Sequence, residues 1–158
     1  MSTATATTHP ATSKDTVRNG SCLCGAITFT VKGDPVHYLV CHCKNCQKAS
    51  GSAFMMNIWF KDESFNLLTG QDALKPYEDK DTNTGKPLTR YFCSNCGSNV
   101  FFRMSPDLPR SDVYLVHGPA IEGSEVWAPR KESFPSNRIP WVTHLETRPK
   151  ETQSKAKL

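Results

Sequence analysis

Residues 41–46 read Cys-His-Cys-Lys-Asn-Cys. Three thiols in six residues are hard to explain as packing, and they cannot pair among themselves without leaving one over. Thiolates at C-x-C and C-x-x-C spacing can converge from one tight turn, and they suit a soft divalent metal such as zinc. Three protein ligands, Cys41, Cys43 and Cys46, leave a tetrahedral ion one open position, and this separates a catalytic zinc from a structural one. The other four cysteines form a second set: Cys22 and Cys24 early in the chain, Cys93 and Cys96 far downstream. Together they supply the ligands of a closed structural zinc site. Spacing also permits Cys43 and Cys46 to join Cys93 and Cys96, leaving Cys22 and Cys24 with Cys41. Either way, seven cysteines leave one site incomplete in protein ligands.

Two plainer readings compete. A disulfide framework fits poorly with an odd number of cysteines and no secretory signal. Two purely structural zincs would need His42 or a partner to complete the second site. The donor set also limits the chemistry. Three thiolates leave a zinc centre electron-rich and a weaker Lewis acid than a three-histidine zinc. Such a centre favours a soft fourth ligand, for example a substrate thiolate, over an activated water. A thiol held beside a carbonyl would form a carbon–sulfur bond mainly through proximity, and the reverse step would cleave one. His42 is the nearest candidate acid or base, although an extended segment that points Cys41 and Cys43 one way points His42 the other. His117 is a second candidate at a strand end. Lys44, Lys48 and Arg90 are candidates for a substrate carboxylate, with solvated surface cations the ordinary reading. Trp59, Trp127 and Trp141 are candidates for a pocket wall, with core packing the ordinary reading for Trp59.

Short strands must position these groups. Ile27, Phe29 and Val31 alternate with polar residues as in a half-buried strand. Residues 36–40 read as a strand delivering Cys41, and residues 44–50 as one or two helical turns ended by Gly51. Residues 54–60 read as a buried strand, 65–68 as a short one, and 74–77 as an edge strand because of Pro76. Residues 79–87 are a polar hairpin loop. Residues 88–92 lead into the Cys93–Cys96 knuckle, which 100–102 leave, so the knuckle sits at a hairpin tip. Residues 113–116 form a last strand. The pattern predicts a mainly β domain, pinned by metal, over residues 20–145.

The flanks differ in composition. Residues 1–19 are rich in Thr, Ala and Ser and read as a disordered arm; residues 146–158 read as a charged flexible tail. The final Ala-Lys-Leu differs by one small residue from the Ser-Lys-Leu peroxisomal address. Otherwise the expectation is a cytoplasmic protein. With 158 residues there is room for one core, and no apolar run is long enough to span a bilayer. The formal charge of +4 falls to about +1 once seven thiolates and two divalent ions are counted, which weakens a nucleic-acid reading.

Gly20-Ser-Cys-Leu-Cys-Gly25, Cys41-His-Cys-Lys-Asn-Cys46 with Ser50, Gly51 and Phe54, and Tyr91-Phe-Cys-Ser-Asn-Cys-Gly-Ser98 resemble the glutathione-dependent formaldehyde-activating enzyme family, also called centromere-protein-V-like. The resemblance runs from about residue 20 to residue 141. It implies a β-tent of packed antiparallel sheets. It also implies a structural zinc on Cys22, Cys24, Cys93 and Cys96, and a labile catalytic zinc on Cys41, Cys43 and Cys46. The activity implied is that of a lyase acting on a small molecule, with glutathione as co-substrate. The alternative is a non-catalytic zinc-stabilised module that binds a protein or nucleic acid. Two departures stand out. Gln47 replaces the arginine that follows the third cysteine in many members, and residues 118–122 stand where many carry Gly-x-Leu-Asp.

Overall fold

In the computed structural model the described residues are 13–143, 145 and 147. Two sheets carry the fold. The smaller is antiparallel and contains β1 (Val17–Ser21), β2 (Thr28–Lys32) and β5 (Phe65–Thr69), in the order β1-β2-β5. The larger contains β3 (His37–Cys41), β4 (Met55–Lys61), β6 (Leu74–Asp79), β7 (Leu88–Cys93), β8 (Asn99–Met104), β9 (Val113–His117) and β10 (Lys131–Ser133). Its order is β10-β3-β4-β9-β8-β7-β6. One helix, α1 (Lys44–Ser50), follows β3. The expectation of a mainly β protein of packed sheets holds.

Strand alternation sends residues to two apolar clusters. Phe29 and Val31 of β2, with Ile27 just before it, are fully buried and meet Tyr38, Ile58, Phe60 and Val116 of the large sheet. The alternate residues of the same large-sheet strands, Leu39, Cys41, Met55, Val113 and Leu115, form a second cluster on the opposite face, which Cys46 of α1 helps to cover. The main core therefore joins the sheets, and the second one seats the helix that carries Cys46 and is capped by Cys43.

Most sequence expectations find their elements. Residues 44–50 are helical, and Gly51 ends the helix at φ 62, a left-handed conformation that costs glycine little. β6 lies at the edge of the large sheet, where Pro76 breaks no ladder. Two expectations need correction. Residues 17–19, read from composition as part of a disordered arm over residues 1–19, lie in β1, which begins at Val17 and pairs in register with β2, while residues 1–12 lie outside the described residues. Arg18 holds it from the side, with its guanidinium 4.7 Å from the Trp127 ring centroid. Nor are the pairings all antiparallel. β10, which carries too few residues to show a period, lies parallel to β3 and pairs Ser133 with Cys41. The tail of residues 146–158, with its Ala-Lys-Leu, lies outside the described residues apart from Thr147. No helix among the described residues is long and apolar enough to cross a membrane.

Candidate metal centre

The seven sulfurs gather as four and three. The sulfurs of Cys22, Cys24, Cys93 and Cys96 lie within 4.8 Å of one another, and so do those of Cys41, Cys43 and Cys46. The alternative partition, with Cys43 and Cys46 beside Cys93 and Cys96, is not the one the fold makes. All seven are free thiols.

The four-sulfur cluster is built from two turns. Cys22 and Cys24 lie between β1 and β2; the Ile27 amide donates to Cys22 Sγ at 3.3 Å, and the Gly25 amide to the Cys22 carbonyl at 3.1 Å. Cys93 ends β7, and Cys96 sits in the turn to β8, closed by the Gly97 amide on the Cys93 carbonyl at 2.8 Å. Ser98 Oγ bridges the turns: it accepts from the Leu23 amide at 3.1 Å and lies 3.3 Å from Cys96 Sγ. The Ser98 hydroxyl and backbone hold the Cys96 thiol down at about 5. Neighbouring sulfurs are 3.6 Å (Cys22–Cys24) and 3.8 Å (Cys24–Cys93) apart. These gaps exceed a disulfide bond of about 2.05 Å but match the ~3.8 Å edge of a tetrahedron with zinc–sulfur bonds of about 2.3 Å.

The three-sulfur cluster is local. β3 ends at Cys41, and Cys43 is the N-cap of α1, its Sγ accepting from the Cys46 amide at 3.4 Å. Cys41 and Cys46 are buried and Cys43 is half-buried. The thiols share charge unequally. Hydrogen bonds from Cys41 and Cys46 outweigh burial and lower the Cys43 thiol to about 2, with the Arg90 charge adding to the effect. Cys41 is pushed up to about 11, chiefly by Cys43, and Cys46 is pushed up by Cys41, Cys43 and burial. Without a cation, one sulfur ionises at its neighbours' expense. All three become thiolates only around a positive ion, so this donor set fits a metal as well as the four-sulfur set does.

Residues 17–137 match the family model for the glutathione-dependent formaldehyde-activating enzyme. The chain belongs to this family. Relatives from Aspergillus flavus and Halomonas elongata are provisionally named glutathione-dependent formaldehyde-activating enzymes. The first is 26% identical over 75% of this chain and 60% of its own length; the second is 32% identical over 52% and 53%. The aligned region thus spans little more than half of these relatives. A Rhodobacter sphaeroides protein of known crystal structure shares the fold, with a TM-score of 0.53 at 18% identity, covering 73% of this chain and 99% of that one.

Within this family member, His42 is not an exposed acid or base. Its ring is fully buried, with Nε2 2.7 Å from Glu132 Oε2 and the ring 5.8 Å edge-on to Phe54. Arg138 donates to the same Glu132 oxygen from Nε at 3.1 Å and from Nη2 at 2.6 Å. Gln47 Nε2 donates to the His42 and Asn137 carbonyls, both at 3.0 Å, and the His42 amide donates to the Ser133 carbonyl. In place of the expected arginine, then, Gln47 ties the cysteine loop to the C-terminal segment. Glu132 and Arg138 were not legible as site residues, since the three-residue β10 gives no signal for the first and no pattern marks the second.

The remaining candidates scatter. Lys44 and Lys48 are exposed, but Arg90 is 5% exposed and paired with buried Asp79, so a solvated cation is the wrong description of it. His117 is half-buried, which lowers its pKa, and lines a cleft of about 570 Å³ with Cys22, Cys96, Ala49 and Ser50. Trp59 packs against the second apolar cluster and Trp127 against Phe60, so both serve the core. Trp141 is 74% exposed and lines a cleft with Gln47 and Phe54.

Proposed function

We propose that this protein is a zinc-dependent lyase-type enzyme that makes or breaks a carbon–sulfur bond between a thiol and a carbonyl compound. Glutathione is the thiol that family membership favours. Cys22, Cys24, Cys93 and Cys96 would hold a structural zinc, and Cys41, Cys43 and Cys46 the reactive one. One observation carries the reading: a cluster one sulfur short of a tetrahedron stands in the same domain as a complete one. A zinc held by three thiolates offers its remaining position to a soft ligand and holds a thiol in its ionised form. In the addition, the thiol sulfur bonds to the carbonyl carbon, the C=O π bond breaks, and the thiol proton ends on the carbonyl oxygen. The reverse reaction returns all three. The protein's contribution is rigid placement: β3 fixes Cys41, the cap of α1 fixes Cys43 and Cys46, and the buried Glu132–His42 pair fixes the turn between them.

A second reading has its own support. His42 is buried and engaged, so no exposed acid–base pair stands out in the cysteine loop, as suits a zinc-stabilised binding module for a protein or nucleic acid. Cobalt substitution separates the two. Sulfur-to-cobalt charge transfer reports the number of thiolates bound. Adding glutathione should intensify that band, and the increase should vanish in Cys43→Ser while the four-sulfur signal persists. A spectrum that thiols leave unchanged would remove direct sulfur binding and favour the module.

A further inference from the structure

We propose that Arg90 is a positioning residue for the three-sulfur centre, a buried cation held in place to offset the negative charge that three thiolates keep after binding a divalent ion. The proposal rests on the reading that Cys41, Cys43 and Cys46 hold a metal. Three thiolates and one zinc carry a net charge of about −1, and an incoming thiolate makes it about −2. Two of the three sulfurs are buried, where uncompensated charge is costly. Lys44 and Lys48 lie close in sequence but are exposed and solvated. Arg90 is different. Its guanidinium lies 4.7 Å from the centroid of Phe102, in the same apolar cluster as Cys41 and Cys46, against which Cys43 packs.

The orientation is built. Nε and Nη2 of Arg90 both donate to Asp79 Oδ2, at 2.9 and 2.8 Å. Asp79 is fixed in turn by Asn45, whose Nδ2 donates to its two oxygens at 2.9 and 3.1 Å and to the Asp81 carbonyl at 2.6 Å. Asn45 stands between Cys43 and Cys46 on α1. The contacts therefore run from the cysteine helix through Asn45 and Asp79 to Arg90. Arg90 Nη1 is buried and has no hydrogen-bond partner among the described residues. Two of the three guanidinium nitrogens are committed to Asp79. The third keeps a free donor in a buried place, where an unmet donor is costly unless something is there to receive it. An anionic sulfur centre is such a receiver.

The test is cobalt binding to the full chain in competition with a chelator, read separately at the two centres. Arg90→Gln, which removes the charge, should weaken the three-sulfur centre about 10–100-fold and leave the four-sulfur centre unchanged, as outer-shell losses do elsewhere. Arg90→Lys should restore most of the loss. Equal losses in the two variants, parallel weakening of both centres, or no change in Arg90→Gln would each overturn the proposal. If Arg90→Gln does not fold, salt decides on the wild type. A buried counter-charge is poorly screened, so the affinity ratio of the two centres should stay flat between about 0.05 and 1 M salt. A steep fall at the three-sulfur centre would move the role to Lys44 and Lys48. A wild type that binds one cobalt only would instead sink the metal reading beneath this proposal.

Discussion

The two sulfur clusters use the same donor and relate to the chain in opposite ways. The four-sulfur cluster joins Cys24 to Cys93 across 69 positions, and so ties the β1–β2 turn of the small sheet to a hairpin of the large one. The three-sulfur cluster lies within six residues at the end of one strand and the start of one helix. Filling the first closes a long loop between sheets that otherwise meet through side chains. Filling the second organises a turn that hydrogen bonds already hold. Ligand type alone therefore does not say what a metal site is for; what it connects does.

The largest expected effect breaks the first cluster. Cys93 is fully buried in the core shared by the sheets. If this cluster holds the proposed structural zinc, Cys93→Ser would remove about 10 kcal/mol of folding free energy, comparable to the whole stability of a domain at about 5–15 kcal/mol. The variant should be unfolded or insoluble. Cys43→Ser should remain folded, within the ordinary cost of about 0.5–3 kcal/mol, and carry less metal. Thermal melts of the two decide this, and equal losses would erase the distinction between the clusters. A gentler form uses the wild type. A mild chelator should remove one equivalent of metal, from the three-sulfur centre, with circular dichroism unchanged; loss of both equivalents together would mean equal affinities.

A smaller effect is expected at Glu132, which supports the three-sulfur turn from behind. Burial pushes its carboxyl up, but Arg138 and His42 together hold it below the usual range. A carboxylate with a lowered folded pKa stabilises fully above its unfolded value of about 4.3, and the contribution is lost as pH falls through the folded value. Glu132→Gln should therefore cost about 1–3 kcal/mol near neutral pH, with the gap to wild type closing in acid. The same variant should loosen metal at the three-sulfur centre and spare the other. Chemical denaturation across pH, paired with metal analysis, checks both halves.

This contrast shows where the sequence was legible. The cysteine types and their local spacing announced two groups of candidate metal ligands, and period-2 alternation located β2, whose Phe29 and Val31 are buried between half-buried threonines. The helix over residues 44–50 was readable from its Gly51 stop. The grouping of the sulfurs was not fixed by spacing, since which turns meet is decided by sheet packing over tens of residues. β1 was hidden because Val17 is 57% exposed and Arg18, Asn19, Gly20 and Ser21 follow it, so no apolar period marks it. β10 was hidden because three residues make no pattern, and with it went Glu132. Arg90 reads as a surface cation in sequence because its burial comes from the pairing of Tyr77 with Arg90 across the β6–β7 hairpin, which sets Asp79 within reach.

The smallest expected effect lies between the two clusters. His117 ends β9 and lines a cleft with Cys22 and Cys96 and with Ala49 and Ser50 of α1. Burial lowers its pKa, so the folded state holds fewer protons than the unfolded chain once pH drops below the unfolded value of about 6.5. Stability is then fully present above that pH and declines below it, by about 1.4 kcal/mol for each unit of depression once the folded pKa is passed. His117→Gln does not titrate. The stability of wild type relative to this variant should therefore fall between about pH 7.5 and 5.5, while acid effects on the thiolates cancel between them. Thiol binding to cobalt at the three-sulfur centre should show the same pH curve in both proteins, because His117 pairs across the sheet with Asn57 and not with the Cys41 row, which faces Met55. A thiol-binding curve that shifts with the substitution would move His117 from the fold to the reaction, and would place the working face of the three-sulfur centre in the cleft beside its structural neighbour.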